Sequence, residues 1–285
     1  MPQSLRNKPQ IWKLANDLGL KPSDDPVAAV LHFTGRRIRS FLTEFPCETL
    51  SELLTTAAAK LDTSFVEICT GDDLSQLKEN YLRKEERQFQ LLEKYLGPDV
   101  YAITFLLLKA RPDERRYVSV IDCRGDKAWR AYFSKWHELA HLLTITSQMR
   151  LNFCRSHIAS DRKDPEEMLM DVIAGQLGFF IDLIGHRLRG EISFERIGEL
   201  RRSLCAEASY ESALYGFLKP WPQSCVMIEA GLGYKKGEQD QLLQGSFGFL
   251  EPPVAQLRVL KVSPNDRARE EGIFIPTKFR IPKNS

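Results

Sequence analysis

The sequence is short of histidine, of closely spaced cysteines and of any excess charge, and each shortage excludes something. Lys and Arg total 40 against 38 Asp and Glu in 285 residues, which leaves a net charge of +2. A protein that holds nucleic acid by its phosphates concentrates far more positive charge, so direct nucleic-acid binding is not expected. The six cysteines (Cys47, Cys69, Cys123, Cys154, Cys205 and Cys225) are scattered, with no C-x-x-C among them. Such spacing builds neither a zinc ribbon nor the disulfide framework of a small secreted domain, and reduced thiols in the cytoplasm are the plain reading. Residues 101–108, the most apolar run of the first half, are too few to span a bilayer, so no membrane association is expected. Residues 1–8 are polar and lead into no apolar core, and no secretory signal is expected. Histidine occurs five times, at His32, His137, His141, His157 and His186.

What is present is the composition of a folded chain, 43% hydrophobic and 27% charged, long enough for one large domain or two modest ones. Ile11, Leu14, Ala15 and Leu18 recur at helical spacing before Gly19, and a second helical piece reaches about residue 45. The second piece carries Arg36, Arg37 and Arg39, read as a solvated helix face. After Pro46, Leu50, Leu53, Leu54, Ala57, Ala58 and Leu61 predict an amphipathic helix, followed by a short strand over 64–69. A densely charged helix is expected over 74–96, ended by Gly97-Pro98. The runs 100–109 and 116–123 read as a β-hairpin. Asp126 is a suitable N-cap for a helix running to about residue 145. Another helix starts near Asp164-Pro165 and continues through Phe180, and shorter ones cover 193–204 and 209–218.

Beyond Pro220-Trp221-Pro222 glycines and prolines interrupt the chain, with strand-like runs at 225–229, 257–262 and 273–276. The expected fold class is therefore α+β. A helical N-terminal extension covers 1–46, and a core domain with a small antiparallel sheet covers 47–220. A mixed, strand-containing C-terminal region covers 221–285.

One segment carries chemistry. His137-Glu138-Leu139-Ala140-His141 is an H-E-x-x-H, and four residues are a little over one helical turn, so both imidazoles share a face and can grip one metal ion. Glu138 is then placed to act as general base towards a water that the ion activates. Trp129, Phe133, Trp136, Ala140 and Leu143 give that helix an apolar stripe, with both histidines at its edge. A catalytic zinc site commonly has three protein ligands. A metzincin would need glycine at position 144 and histidine at 147, where this chain has Thr144 and Ser147. The alternative is a glutamate from a second helix, and Glu167 has Asp171 four residues on, able to orient a ligating imidazole. Two readings compete there. Asp164-Pro165-Glu166-Glu167 is also a capping-box pattern, and Glu166 is the other possible ligand. Ala174, Gly175 and Gly178 would let the second helix approach the first closely. His157 and Asp161 lie between the motifs, and His157 could assist at the site or polarise a carbonyl. Tyr210, Tyr215 and Tyr234 are possible oxyanion donors.

These residues resemble the ImmA/IrrE family of metallopeptidases, in which an H-E-x-x-H helix is followed by one bearing E-x-x-A-N or E-x-x-A-D. The matching segments are residues 131–141 and 164–174, and the likeness extends over about 48–185, more loosely to 218. The resemblance implies a zincin-like metallopeptidase core over 47–220, with His137, His141 and Glu167 as zinc ligands and Glu138 as catalytic base. In its terms 74–96 is an insertion, and 193–218 are trailing helices. Ala140, Met170 and Ile173 depart from its usual Gly, Ala and Phe. The family's substrates are transcriptional repressors or related regulators in bacteria. The expectation is a cytoplasmic zinc endopeptidase acting on a protein partner such as a helix-turn-helix repressor. The alternatives are a zinc-containing regulator or sensor that acts by binding a partner, or a toxin or defence protease with another target.

Overall fold

The computed structural model of the chain describes residues 3–22, 24–145, 164–244 and 253–281. The chain divides into two compact units, Met1–Arg187 with Ser193–Gly216, and Leu188–Ile192 with Phe217–Ser285. Helix and strand occur in both, and the fold is α+β.

The first unit opens with helices α1 (Gln3–Arg6), α2 (Pro9–Asp17), α3 (Pro26–Glu44) and α4 (Leu50–Lys60). Their starts follow local chemistry. Asp25 accepts a bond from the amide of Ala28 ahead of Pro26, and Thr49 and Glu52 close a reciprocal capping box. Both devices satisfy amides that a first helical turn leaves without intrahelical partners. Strand β1 (Thr63–Ile68) follows, and then the hairpin of β2 (Ala102–Leu106) and β3 (Tyr117–Asp122). The sheet order is β1-β3-β2. β3 returns between the other two strands, antiparallel to β2 and parallel to β1. The sheet is therefore mixed, not wholly antiparallel.

Strand alternation gives the sheet two faces. On one, Ile68, Ile103, Phe105, Val118 and Val120 meet Leu74, Leu77, Phe89, Leu92 and Leu96 in one buried cluster. The charged segment after β1 is thus the cover of this face, but it is not the single helix expected over 74–96. It forms α5 (Gly71–Arg83), a 3₁₀ turn (Arg87–Leu91) and α6 (Leu92–Tyr95). The break falls where Glu85 takes a φ of 64°. Geometry explains it, because a straight helix of that length would run about 35 Å past strands of only about 20 Å. Glu86, buried at the break, accepts from the amides of Leu108 (3.1 Å) and Lys109 (2.7 Å) and so pins the segment to the end of β2.

The opposite face carries α7 (Ala131–Thr144), which holds the H-E-x-x-H. Asp126 does not cap it. Asp126 lies inside a 3₁₀ turn (Gly125–Arg130), and the residue preceding α7 is Arg130, which makes no side-chain cap. That turn is tied back by Lys127, whose Nζ reaches Asp122 Oδ2 at 2.8 Å and the carbonyls of Gly97 (2.7 Å) and Val100 (2.8 Å). Trp129, in the turn, is 71% exposed and does not belong to the apolar stripe, which runs through Tyr132, Trp136, Leu139 and Leu143.

Next come α8 (Pro165–Leu177), α9 (Ile181–Ile184), α10 (Phe194–Leu204) and α11 (Tyr210–Leu218). The expected helix through Phe180 stops at Gly178, where the chain lies against α7. A Cβ added there would stand 3.2 Å from Trp136 and 3.0 Å from the Ala174 carbonyl, and Tyr132 donates its hydroxyl to the Gly178 carbonyl at 2.7 Å. Gly175 meets nothing at that range, so the close approach rests on Gly178. The segment Pro165–Arg187 is long and apolar enough to cross a membrane by composition. Leu169, Met170, Ile173, Ala174 and Leu177 within it are core residues.

In the second unit, β4 (Val226–Gly233) and β5 (Gln256–Pro264) form an antiparallel ribbon with a bulge at Glu229/Ala230, accompanied by α12 (Lys236–Gln244) and α13 (Asp266–Glu270). Residues 273–276 are not the expected strand. The chain regains β5 only from Lys278, whose amide reaches the Val259 carbonyl at 2.7 Å. Pro276 offers no donor to a ladder.

Candidate metal centre

Helices α7 and α8 build the site between them. In α7 the four-residue spacing places His137 and His141 on one side, with their rings edge to face and their centroids 4.8 Å apart. Asp164 starts α8 by accepting from the Glu166 amide at 2.9 Å, and Pro165 occupies the first helical position. The carboxylate of Glu167 turns to the histidines, with Oε2 3.1 Å from His137 Nε2 and 3.4 Å from His141 Nε2. The two Nε2 atoms are 3.0 Å apart. Glu166 does not join this group.

Among the described residues, His137, His141 and Glu167 are the one set of three such side chains whose donor atoms converge in this way, all within 4.8 Å of one another, and it could hold a metal ion. Nitrogen and oxygen donors bound at about 2.1 Å to a tetrahedral ion stand about 3.4 Å apart, close to the spacings seen. Charge points the same way. Burial disfavours an imidazolium at His137, but its bonds to Asp171 and Glu167 and the charges of Glu138 and Glu167 outweigh it and raise its pKa to about 10. These surroundings favour a positive centre, whether proton or metal.

His137 Nδ1 lies 3.0 Å from Asp171 Oδ1. A carboxylate only accepts, so Nδ1 is the donor and Nε2 is directed at Glu167 and His141. Glu138 is 5% exposed, and its Oε2 accepts from the Thr104 hydroxyl at 2.6 Å. The C-terminal end of α7 is closed by Arg37, which donates to the Leu143 carbonyl at 2.6 Å. Of the basic cluster on α3, then, Arg37 is engaged in the core, while Arg39 pairs with Asp182.

His157 and Asp161 lie outside the described residues. His32 and His186 are exposed, on α3 and on a 3₁₀ turn after α9. Tyr210 donates to the Phe194 carbonyl and joins α10 to α11, and Tyr234 belongs to the second unit. Sequence reasoning passed over Thr104 and Ser119. Their signal was a hydroxyl residue at a buried position of each strand in an apolar hairpin. No protein-family model matches the chain, and no curated protein matches it.

Proposed function

We propose that this chain is a zinc-dependent endopeptidase of the ImmA/IrrE kind, cytoplasmic and bacterial, acting on a regulatory protein such as a helix-turn-helix repressor. The observation that carries the reading is one arrangement. Three donors on two helices converge to metal-ligand spacing, and a buried carboxylate, Glu138, stands one residue from His137 on the same helix. Two histidines and a glutamate suit zinc among the common divalent ions. When bound, zinc supplies Lewis-acid activation of a water and of the scissile carbonyl. Glu138 takes the proton of the attacking water and passes it to the leaving amine nitrogen. Asp171 keeps the His137 ring oriented, and Glu167 balances charge. A site that only stores a structural ion needs no general base, and the retained Glu138 favours hydrolysis over partner binding.

The test is metal analysis of the purified protein, followed by incubation with helix-turn-helix repressors encoded beside its gene. Zinc at one equivalent and cleavage lost in Glu138→Gln are expected. Equal cleavage by that variant would refute the mechanism.

A further inference from the structure

A row of hydroxyls crosses the sheet beneath α7. Thr63 Oγ1 lies 3.2 Å from Ser119 Oγ, Ser119 Oγ lies 2.6 Å from Thr104 Oγ1, and Thr104 Oγ1 lies 2.6 Å from Glu138 Oε2. All three hydroxyl residues are buried, Ser119 completely. Register places them there. Thr104 faces Ser119 directly across β2 and β3, and Thr63 on β1 is paired with Tyr117, two residues before Ser119 on β3. On β2 and β3 the neighbouring positions of this face, Ala102, Leu106, Tyr117 and Ile121, are apolar or aromatic, and on β1 they are Phe65 and Glu67, the latter paired with Lys135 of α7 at 2.6 Å. The hydroxyls form a separate polar line that ends on Glu138.

The line has a direction. An ionised carboxylate accepts but does not donate, so the single Thr104 proton is committed to Glu138. Ser119 must then donate to Thr104, and Thr63 to Ser119. All three protons point towards the carboxylate, and each bond polarises the next. Buried polar groups need partners, but a single hydroxyl would suffice for that. Two more behind it fix which way Thr104 points.

We propose that Thr104, backed by Ser119 and Thr63, is a positioning residue that fixes the orientation of the Glu138 carboxylate for proton transfer at the metal site. The inference rests on the general-base reading of Glu138. In a threonine-to-valine exchange the shape is kept and the donor lost, so a structural role alone would leave the site's chemistry intact. Serine keeps the donor.

The probe is acetohydroxamic acid, which chelates zinc through two oxygens and gives its acidic proton to a neighbouring carboxylate. Its binding needs no knowledge of the substrate. Calorimetry on the zinc-loaded full chain should show affinity about tenfold weaker in Thr104→Val. Thr104→Ser should stay within about twofold of wild type, and zinc affinity should be unchanged in both. Where a peptide substrate is known, Thr104→Val should lower kcat with KM held. Unchanged acetohydroxamate affinity in Thr104→Val, alongside a loss in Glu138→Gln, would overturn the positioning role and leave the endopeptidase reading standing. No loss in Glu138→Gln would instead remove the base assignment itself, and this inference with it. Should Thr104→Val fail to fold, Ser119→Ala decides. It removes only the donor behind Thr104 and should weaken acetohydroxamate about threefold, and wild-type affinity there would overturn the proposal.

Discussion

Removing Asp171 should weaken metal binding without touching a ligand. The carboxylate holds His137 Nδ1 at 3.0 Å, and its side chain is 36% exposed. A hydrogen bond to a charged group contributes about 1.5–3 kcal/mol, and partial exposure places this one at the lower end. About 1.4 kcal/mol corresponds to a tenfold change in affinity, within the range found when partners of metal-ligating imidazoles are removed. The loss has a structural meaning, because Asp171 accepts from Nδ1 and so favours the tautomer that turns Nε2 towards Glu167 and His141. Asp171→Ala should therefore bind zinc about tenfold more weakly in competition with a chromophoric chelator. Asp171→Asn, whose amide oxygen still accepts from Nδ1–H, should lose about threefold. Both variants should keep the wild-type far-ultraviolet circular dichroism. A folded Asp171→Ala protein with affinity within twofold of wild type would refute the orienting role.

Two further outcomes concern the scaffold. Asp122 has a 1% exposed side chain held by Arg124 Nε at 2.7 Å and by Lys127 Nζ at 2.8 Å. Burial alone would raise its pKa, but the bonds from Arg124 and Lys127 outweigh burial and hold it below its ordinary value. Its contribution is therefore full above about pH 4 and is lost as pH falls through the lowered native value. Asp122→Asn should cost about 3 kcal/mol at neutral pH, about 6–12 °C in melting temperature. In thermal melts the gap to wild type should close in acid, and a gap independent of pH would refute the assignment. Glu86→Ala should cost about 2–4 kcal/mol in urea unfolding, since the amides of Leu108 and Lys109 lose a buried acceptor. Hydrogen exchange at those two amides should speed up, and a cost under about 0.5 kcal/mol would refute the stapling role.

Most of the element order is legible from local pattern. The apolar spacing of α4 and the hairpin over 100–123 need only neighbours within a few positions. Two of the misreadings share a cause, a contact with another part of the chain that overrides a local preference. The helix expected over 74–96 is broken because its second half must turn back over the sheet face, with Glu86 held by β2. Asp126 is a good cap in isolation, but Lys127, bonded to Asp122 and to the 97–100 loop, forces a 3₁₀ turn there. Trp129 fits the apolar periodicity of α7 yet lies before its first turn.

Legibility of the site falls with the sequence distance over which its parts meet. His137 and His141 are four residues apart on one helix, and helical geometry alone puts them together. Glu167 stands 30 residues from His137, so its partner had to be chosen by chemistry, and what separated it from Glu166 was Asp171 one turn on. In the fold it is the Glu167 carboxylate that stands beside both imidazoles. Thr63, Thr104 and Ser119 come from three strands, and no window of sequence holds them together. Only the register of β3 between β1 and β2 aligns their hydroxyls, and a shift of β3 by one residue would turn Ser119 to the opposite face. The strand order that made the sheet mixed is thus also what brings a hydroxyl row under Glu138. With β3 at an edge, Thr63 and Thr104 could not both reach Ser119.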